Sequence, residues 1–430
     1  MKTLNLVSNN QLSNRGKNLS RRTPSLTWKQ QISILYNYHN HHLMCSQEED
    51  EDCSCVFNSI IKKNERLSYC IKCQSQSSVL IRKDDPSLCK SCFIHHCLHK
   101  INMIFGKYKL TTTQMNNSSN SNHNNMAIAY SGGQNSSTLL NLIIQYHNHN
   151  DNGIKKQTRR MIPKVFHLIE PYDSEDNLKF ITNNMKNSHF EYHNISMNEI
   201  SETYKWESKL TSSLLTSQQR FHNYYRLNLL IDCARKLNCK YLVLGECGNR
   251  VTVKYLLEII EGRGNHSSIQ TSFLDERYQD ITIVRPLRDF LAKEIALYAH
   301  FMHLEFVTPN DPLTSIVLKN PNVNTLERLT QDFLATLQTG GFPSTTGTIL
   351  RTSSKIVLEN DSQITCSFCH FPVSNTDSSN DPDKLATKSM IHSSSLSNPD
   401  SFNKKTVTGI IDKDLCLSCS LMFKELSLCT

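Results

Sequence analysis

The sequence predicts a three-layer α/β domain, in which helices cover both faces of a parallel sheet, with a small cysteine-rich module on either side. Short apolar runs alternate with longer helical patterns from residue 126 to about residue 310, and this alternation is typical of parallel sheets. Four cysteines in paired Cys-x-x-Cys spacing precede this region, and four more follow it. At 430 residues the chain is long enough for one main core with appended modules.

The apolar runs predict five strands, each followed by a helical or polar stretch that returns the chain to the start of the next strand. The predicted strands are, in order, "MAIAY", "KVFHLIE", "HFEYHNIS", "KYLVLGE" and "DITIVRPL". The helical patterns include "STLLNLIIQYH" after the first strand, "VTVKYLLEIIEG" after the fourth and "DFLAKEIALYAHFM" after the fifth.

Changes in composition divide the chain into segments. The predicted order is a polar, disordered tail (1–66), an N-terminal cysteine module (67–110), a low-complexity linker (111–125), the α/β domain (126–310), a connecting segment (311–360) and a C-terminal cysteine module with polar insertions (361–430). The basic, Ser- and Asn-rich start of the tail can also be interpreted as a mitochondrial presequence, and plain disorder explains the same composition.

Charge and hydropathy restrict the class of protein. The 47 basic and 39 acidic side chains give a net charge of +8, which suits a polyanionic partner such as RNA. The sequence has neither an apolar secretory signal nor an apolar run of membrane-spanning length. Cysteines in Cys-x-x-Cys pairs favour metal binding over disulfides, so we expect a reducing compartment.

The first predicted strand is followed by a Ser-Gly-Gly turn in "AIAYSGGQNSSTLL", residues 127–140. Ser131, Gly132 and Gly133 are small enough for backbone N–H groups to approach an anion, and Ser136 and Ser137 offer hydroxyl donors where the next helix begins. Because ligands collect at the carboxyl ends of parallel strands, the turn predicts a phosphate or pyrophosphate site. An ordinary strand-to-helix connection is the alternative.

Two sets of cysteines have the spacing of structural zinc sites. The sets are Cys70, Cys73, Cys89 and Cys92, and Cys366, Cys369, Cys416 and Cys419. Each offers four thiolates in two knuckles, which fits a tetrahedral ion with no open position. The sequence does not distinguish zinc from an iron–sulfur cluster, and His95, His96, Cys97, His99 and His370 are alternative ligands. The second set could also be two unrelated pairs, because 46 residues separate them.

Several motifs in one order resemble a known family. The turn resembles the Ser-Gly-Gly-x-Asp-Ser signature of the PP-loop ATP pyrophosphatases, whose adenine nucleotide alpha hydrolase-like fold it implies. With the upstream cysteines, "YLVLGECGNRVTVKYL" (241–256), "EGRG" (261–264) and "RPLRDFLAKEIALYAHF" (285–301), the chain resembles the cytoplasmic tRNA 2-thiolation protein 2 family. The resemblance covers about residues 67–307 and the last cysteine pairs.

The resemblance implies a cytoplasmic subunit that forms a heterodimer with a catalytic tRNA thiolase. The complex would 2-thiolate the wobble uridine (U34) of tRNA for Lys, Glu and Gln with sulfur from a ubiquitin-related modifier. It also places the nucleotide-loop function, with ATP and magnesium, on the residues of the turn named above.

The chain departs from the active enzymes at three places. Asn135 stands where the signature has aspartate, which argues against charge-based handling of magnesium. Asn249 and Arg250 stand where catalytic relatives carry an acidic pair, and residues 216–219 read Thr-Ser-Gln-Gln where those relatives place Cys-x-x-Cys. Cys247 is the remaining candidate nucleophile facing the cleft, and the alternative for it is a small apolar filler.

Basic residues supply the candidate tRNA contacts, because phosphate contacts dominate nucleic-acid affinity. The candidates are Lys155, Lys156, Arg159, Arg160, Arg263, Arg285 and Arg288. For the first four the alternative is a solvated charged loop, for Arg263 a helix end, and for Arg285 and Arg288 ion pairs within the fold.

We therefore expect a non-catalytic or weakly catalytic tRNA-binding partner of the active thiolase. One alternative is an ATP-dependent tRNA sulfurtransferase in its own right, acting through Cys247. The other is a zinc-ribbon binding module with no role in tRNA.

Overall fold

A computed structural model describes residues 69–82, 85–108, 125–151, 163–200, 215–264, 267–308, 325–356, 365–373 and 415–427. These residues lie in one compact unit, Asn58–Thr430. The predicted tail and nearly all of the predicted linker lie outside the described residues. The same is true of the four basic candidates Lys155, Lys156, Arg159 and Arg160.

The described residues form helices and strands in alternation. The strands are β1 (Met126–Ala129), β2 (Lys164–Ile169), β3 (Glu191–Ser196), β4 (Tyr241–Val243), β5 (Leu274–Asp275) and β6 (Thr282–Val284). The helices are α1 (Lys90–Lys107), α2 (Gln134–Asp151), α3 (Glu175–Asn187), α4 (Met197–Ile200), α5 (Leu215–Lys236), α6 (Gly248–Ile260), α7 (Ser267–Thr271), α8 (Ala292–Phe301), α9 (Leu326–Thr339), α10 (Thr345–Ser353) and α11 (Leu417–Ser427). Among the described helices, none combines the length and apolar composition needed to cross a membrane.

The six strands form one sheet in the order β3-β2-β1-β4-β6-β5. Ile128 of β1 pairs with Val165 of β2 on one side and with Val243 of β4 on the other, both in parallel. β4 and β6 are also parallel, and the two-residue edge strand β5 is antiparallel to β6. The predicted parallel sheet is confirmed, while the sequence pattern did not reveal β5. The strand order reverses between β1 and β4, and such a reversal opens a ligand crevice at the carboxyl ends of the strands.

Each inner strand buries side chains on both faces, as the near-continuous apolar runs predict. In β1, Ala127 packs with α5 residues such as Ile231 and Cys233, whereas Ile128 packs with α2 and α8 on the opposite face. Successive residues of a strand point to opposite faces, so one short run supplies two cores. Helices therefore cover both faces, and the three-layer prediction is confirmed.

The cysteine modules pack directly against this domain. In the N-terminal module, Phe93 of α1 lies 5.9 Å from Phe301 of α8 between ring centroids, and Lys100 pairs with Glu294 at 3.0 Å. The C-terminal module packs on α5 through an aromatic cluster in which Phe368 lies 5.3 Å from Phe221. The predicted connecting segment contains α9 and α10, which pack against α6.

Candidate nucleotide loop and metal centres

The Ser-Gly-Gly turn joins β1 to α2 at the crevice. Gly132 has a φ of +72°, and a Cβ there would lie 2.6 Å from Ile181 Cγ1 and 2.8 Å from Val307 Cγ2. Its carbonyl oxygen also accepts a hydrogen bond from the Val307 amide at 2.9 Å. Glycine is therefore required at position 132 by backbone conformation and by close packing. Gly133 is different, since a Cβ there would meet only Ser131 Oγ, at 3.5 Å.

Hydroxyl groups stabilise the turn. Ser131 Oγ and Ser136 Oγ lie 3.1 Å apart, and the Ser136 hydroxyl donates to the Gly133 carbonyl at 2.9 Å. Ser137 Oγ lies 3.1 Å from the Tyr130 hydroxyl inside the protein. Ser131 is exposed, whereas Ser136 and Ser137 are buried. The serines thus hold the turn in shape, and the free N–H groups of the first turn of α2 remain the part that suits an anion.

A second glycine brings the end of β4 against this turn. A Cβ on Gly245 would lie 3.1 Å from Ser136 Cα and 3.2 Å from the Ser136 amide nitrogen. The carboxyl ends of β1 and β4 therefore meet at the start of α2. The local strand–turn–helix geometry of a nucleotide loop is present in this chain.

Asn249, at one of the positions where the resemblance implies an acidic group in catalytic relatives, bridges elements of the fold. Asn249 accepts a hydrogen bond from the Ala292 amide at 3.1 Å, and its amide group donates to Gln338 at 3.2 Å. It thereby links α6 to α8 and α9. Asn135 is partly exposed at the turn and Arg250 is exposed. An amide carries no charge with which to hold magnesium.

The start of α5, where catalytic relatives would place Cys-x-x-Cys, is covered by other parts of this chain. Thr216 Oγ1 accepts from the Leu326 amide at 3.4 Å. Ser217 donates to Glu425 of α11, and Arg220 donates to Ser418 of the same helix. The C-terminal helix therefore contacts the segment that carries Thr-Ser-Gln-Gln.

The other described cysteines outside the two sets are all buried. Cys97 and Cys233 are fully inaccessible, and burial raises the pKa of each thiol to about 12. Burial likewise raises the pKa of Cys239 to about 11. Cys247, the candidate nucleophile, is 2% exposed and lies in the apolar core where α6 begins. Its position corresponds to an apolar filler, because a reactive cysteine needs access and a stabilised thiolate.

The structure brings together both predicted cysteine sets. Within each set, one sulfur atom per residue lies within 4.8 Å of every other. Cys73 Sγ and Cys89 Sγ are 3.5 Å apart in the first set, and Cys369 Sγ and Cys416 Sγ are 3.6 Å apart in the second. Zn–S bonds of about 2.3 Å place the sulfurs of a tetrahedral site about 3.8 Å apart. The arrangement therefore fits four thiolates on one ion.

The two modules share one construction. The bridges Tyr69–Gln76 and Thr365–Pro372 enclose the first Cys-x-x-Cys pair of each set. The residue after each of these pairs has a left-handed backbone, with φ of 61° at Gln74 and 57° at His370. The second pair of each set lies at the start of a helix, α1 or α11. This likeness favours two sites of the same kind over two unrelated cysteine pairs in the C-terminal segment.

The two sites differ in exposure. In the first set Cys73 is exposed and Cys92 is half-buried, whereas all four cysteines of the second set are buried. Hydrogen bonds from Ser91 and from the Cys92 amide lower the pKa of Cys89 to about 5, whereas the neighbouring sulfurs of Cys89 and Cys73 raise the pKa of Cys92 to about 12. Without metal the protons are therefore shared unequally within the set, and a bound cation would favour the thiolate form of all four. The histidines that the sequence offered as alternative ligands are not part of either four-sulfur group.

Arg263 contacts the second site instead of a surface. Its guanidinium is 7% exposed, donates to Cys419 Sγ at 3.9 Å and pairs with Glu258 at 2.5 Å. A second buried arginine, Arg277, donates to the Cys369 carbonyl at 3.0 Å. Four thiolates around one zinc ion carry net negative charge, which nearby cations stabilise. No sequence motif indicates Arg277, because its contact with Cys369 spans 92 residues of the chain.

Arg285 and Arg288 are also paired within the fold. Arg285 is 1% exposed and contacts Glu246 at 2.8 Å and Asp275 at 3.1 Å. Burial favours the neutral form of Glu246, but Lys254 and Arg285 outweigh this effect and hold its pKa well below its ordinary value. Arg288 is 8% exposed, and its guanidinium donates to the backbone oxygens of residues 271 and 350.

These contacts correct the assignment of three predicted tRNA contacts. Arg263, Arg285 and Arg288 are buried and engaged by groups of this chain, so they do not present a free cationic surface. For Arg285 the alternative of ion pairing within the fold describes the structure, and most of the contacts of Arg288 are likewise internal. The other four candidates lie outside the described residues and stay a prediction.

Two protein-family models match this chain, and the first agrees with the strand–turn–helix geometry described above. The model of the PP-loop domain matches residues 107–312, and that of cytoplasmic tRNA 2-thiolation protein 2 matches residues 325–421. The second match includes α9, α10 and all four cysteines of the second set.

Proteins with the name cytoplasmic tRNA 2-thiolation protein 2 are among the similar sequences. The one from Danio rerio is 25% identical over 387 residues, with 73% of this chain and 72% of that protein covered. The one from Schizosaccharomyces pombe is 25% identical over 384 residues, with 84% and 94% covered. The one from Dictyostelium discoideum is 31% identical, with 64% and 54% covered.

The U34-tRNA thiolase NcsA from Methanococcus maripaludis, solved with its [4Fe-4S] cluster, superposes with a TM-score of 0.53 at 17% identity. The alignment covers 70% of this chain and 91% of NcsA, and at this identity it supports the fold alone. The motifs, the two cysteine modules and these matches agree, and the chain belongs to the cytoplasmic tRNA 2-thiolation protein 2 family, with a PP-loop domain at its centre.

Proposed function

We propose that this chain is a tRNA-binding subunit of the cytoplasmic tRNA 2-thiolation machinery and that it does not supply the thiol that transfers sulfur. Its partner in the heterodimer would be the catalytic thiolase, which receives sulfur from a ubiquitin-related carrier and modifies the wobble uridine. The reaction of the complex is adenylation of the uridine C2 oxygen, attack by sulfur and release of AMP.

The distribution of thiols carries this proposal. Every described cysteine is either in a four-sulfur set or buried in the apolar core. A persulfide carrier must meet both a sulfur donor and the activated base, so a thiol at 0–3% exposure is unsuited to the task. At the start of α5, Ser217 and Arg220 contact α11, which further supports a supporting role for this subunit.

We propose structural zinc at both cysteine sites. Four cysteines attached to separate irons of a cluster would hold their sulfurs further apart than four cysteines on a single ion, and the close sulfur distances favour the single ion. The first set would hold α1 to its knuckle, and the second would hold α11 against α5. Bound zinc supplies folding free energy to such modules.

The subunit role is tested by reconstitution. Purified alone, the chain should form no 2-thiouridine on a tRNA transcript and should not convert ATP to AMP with that tRNA. Addition of the catalytic subunit, ATP and the sulfur carrier should give thiolated tRNA, measured by mass spectrometry of nucleosides. Turnover by the chain alone, or a covalent persulfide trapped on it, would refute the proposal. Normal 2-thiouridine in cells that lack the gene would favour the zinc-module alternative.

The turn itself is tested at Gly133, because Gly132 has no room for a side chain. A carboxylate at position 133 would lie beside the first turn of α2. At about 4 Å from a bound phosphate it would cost about 1–4 kcal/mol, which lowers phosphate binding at least about fivefold.

We therefore expect Gly133→Asp to reduce tRNA thiolation in cells and the matched neutral variant Gly133→Asn to retain most of it. Equal thiolation in both variants would show that the turn no longer binds an anion. Thermal unfolding of both proteins controls for stability.

A further inference from the structure

A cleft of about 570 Å³ opens between the N-terminal cysteine module and α10. Four cationic side chains and a single carboxylate are among its lining residues: Arg82, Arg288, Arg351, Lys355 and Asp289. The size is in the range of sites that hold a nucleotide-sized ligand. The cleft therefore combines room for a ligand with an excess of positive charge.

The cleft lies at the edge of the sheet where the carboxyl ends of the parallel strands meet. Gly248, at the start of α6, follows β4, and residues 288–291 follow β6. The Ser-Gly-Gly turn follows β1, and β1, β4 and β6 run parallel. Because the carboxyl ends of parallel strands meet at one edge, the cleft and the turn face the same side of the domain.

The positive charge of Arg288, on the buried side of the cleft, is balanced by a carboxylate, whereas the exposed cationic side chains at the rim of the cleft are not balanced in this way. Asp289 pairs with Arg288 at 3.3 Å, so the lining carboxylate is already engaged. Arg351 and Lys355 are exposed, and Arg351 donates to the Thr348 hydroxyl at 3.2 Å. Among the described residues, no carboxylate forms an ion pair with either of them or with Arg82.

Arg82 lies over the first turn of α10 with an unmet hydrogen-bond donor. Its Nη2 is 3.9 Å from the position that a Cβ of Gly347 would take, so the missing side chain leaves room for the guanidinium. Its Nε is buried and has no hydrogen-bond partner among the described residues. Arg82 lines the cleft, where the other N–H groups of its guanidinium can donate to an oxyanion.

We propose that this cleft binds backbone phosphates of RNA, with Arg82, Arg351 and Lys355 providing the contacts. This inference rests on the proposed function, because the bound RNA would be the tRNA substrate of the thiolation machinery. Arginine and lysine are the usual phosphate ligands in nucleic-acid complexes, and one or two such contacts anchor a strand without reading its sequence. The position beside the sheet edge lets an anchored tRNA extend toward the nucleotide turn.

Charge reversal on the exposed rim tests the inference in the full-length protein. The variants are Arg351→Glu and Lys355→Glu, and the matched control is Lys186→Glu. Lys186 is exposed at the end of α3, where the chain returns to the amino edge of the sheet and so lies away from the cleft. Binding of a labelled tRNA transcript is measured by fluorescence anisotropy over a range of KCl concentrations.

We expect each rim variant to bind tRNA about tenfold more weakly at low salt and to lower the slope of log affinity against log salt by about one. Lys186→Glu should bind like the wild type. Circular dichroism of each variant controls for folding, which is expected to be normal because both rim side chains are exposed. Wild-type binding and slope in both rim variants would overturn the inference.

Two further measurements separate other occupants of the cleft. If pyrophosphate binding is lost in the rim variants while tRNA binding is not, the cleft is a site for free phosphate and the inference is overturned. If the variants lose the catalytic subunit in co-purification but bind tRNA normally, the cleft is a protein interface and the inference is again overturned. The proposed function and the cleft can fail separately. If thiolation in cells depends on this chain but the rim variants bind tRNA normally, the proposed function is retained and only the assignment of the cleft as an RNA site is refuted.

Discussion

Asp275 provides the sharpest test of the buried charge network. The side chain is fully inaccessible and accepts hydrogen bonds from Arg277 at 2.8 and 2.9 Å and from Arg285 at 3.1 Å. Asp275→Asn keeps the shape but removes the charge that balances two buried guanidinium groups. Breaking a buried ion pair on one side costs about 3–5 kcal/mol, because a charge is left without its counterion. We expect a loss of stability of that size.

The same substitution at the surface gives a matched control. Asp280 contacts Arg235 at 2.6 Å, a geometry as short as that of the buried pair, but the two side chains are 52% and 43% exposed. Exposed pairs contribute about 0–1 kcal/mol, because water and salt screen them. In urea unfolding followed by circular dichroism, with a slope of about 3 kcal/mol/M, Asp275→Asn should lower the midpoint by about 1 M or more and Asp280→Asn by about 0.3 M or less.

The dependence on pH gives the reasoning a second check. Burial would raise the pKa of Asp275, but Arg277 and Arg285 hold it below the ordinary value of 3.8. The native state therefore stabilises the carboxylate, and this stability is present above the unfolded pKa near 4 and is lost as the pH falls below it. The difference between the wild type and Asp275→Asn should stay constant from neutral pH to about pH 5 and shrink in more acidic solution. Equal losses in the two variants, or a difference that grows in acid, would refute the reasoning.

Two further predictions concern thiols. A chelating dye should remove metal from the first cysteine set before the second, because Cys73 is exposed and the second set is buried. Release should therefore be biphasic, and Cys73→Ser should abolish the fast phase whereas Cys369→Ser should abolish the slow one. Loss of the slow phase in Cys73→Ser, or of the fast phase in Cys369→Ser, would contradict the prediction that the exposed site releases its metal first. Cys247→Ala should leave 2-thiouridine at the wild-type level by mass spectrometry and cost about 1–2 kcal/mol of stability, as a small core truncation does. Loss of thiolation in a folded Cys247→Ala protein would restore this residue as a candidate nucleophile.

The sequence was informative wherever a pattern is local. Alternating apolar runs gave the parallel strands, because a strand buried on both faces needs apolar side chains at nearly every position. The pairs Cys70/Cys73 and Cys366/Cys369 predicted metal sites, because each pair fills two ligand positions of one ion. The two-residue strand β5 was missed, since its pairing depends on β6 and not on its own sequence.

Only the tertiary structure decided what the arginines do. Arg285 has the same charge in the sequence as Lys355, yet one is buried between two carboxylates and the other is exposed at a cleft. The function of a charged side chain depends on its burial and its counterion, and both come from chain segments far away in sequence. The sequence by itself therefore determined the fold class, the family and the cysteine sites. The folded chain determined which of the described thiols are accessible and which cationic side chains are left exposed at a cleft.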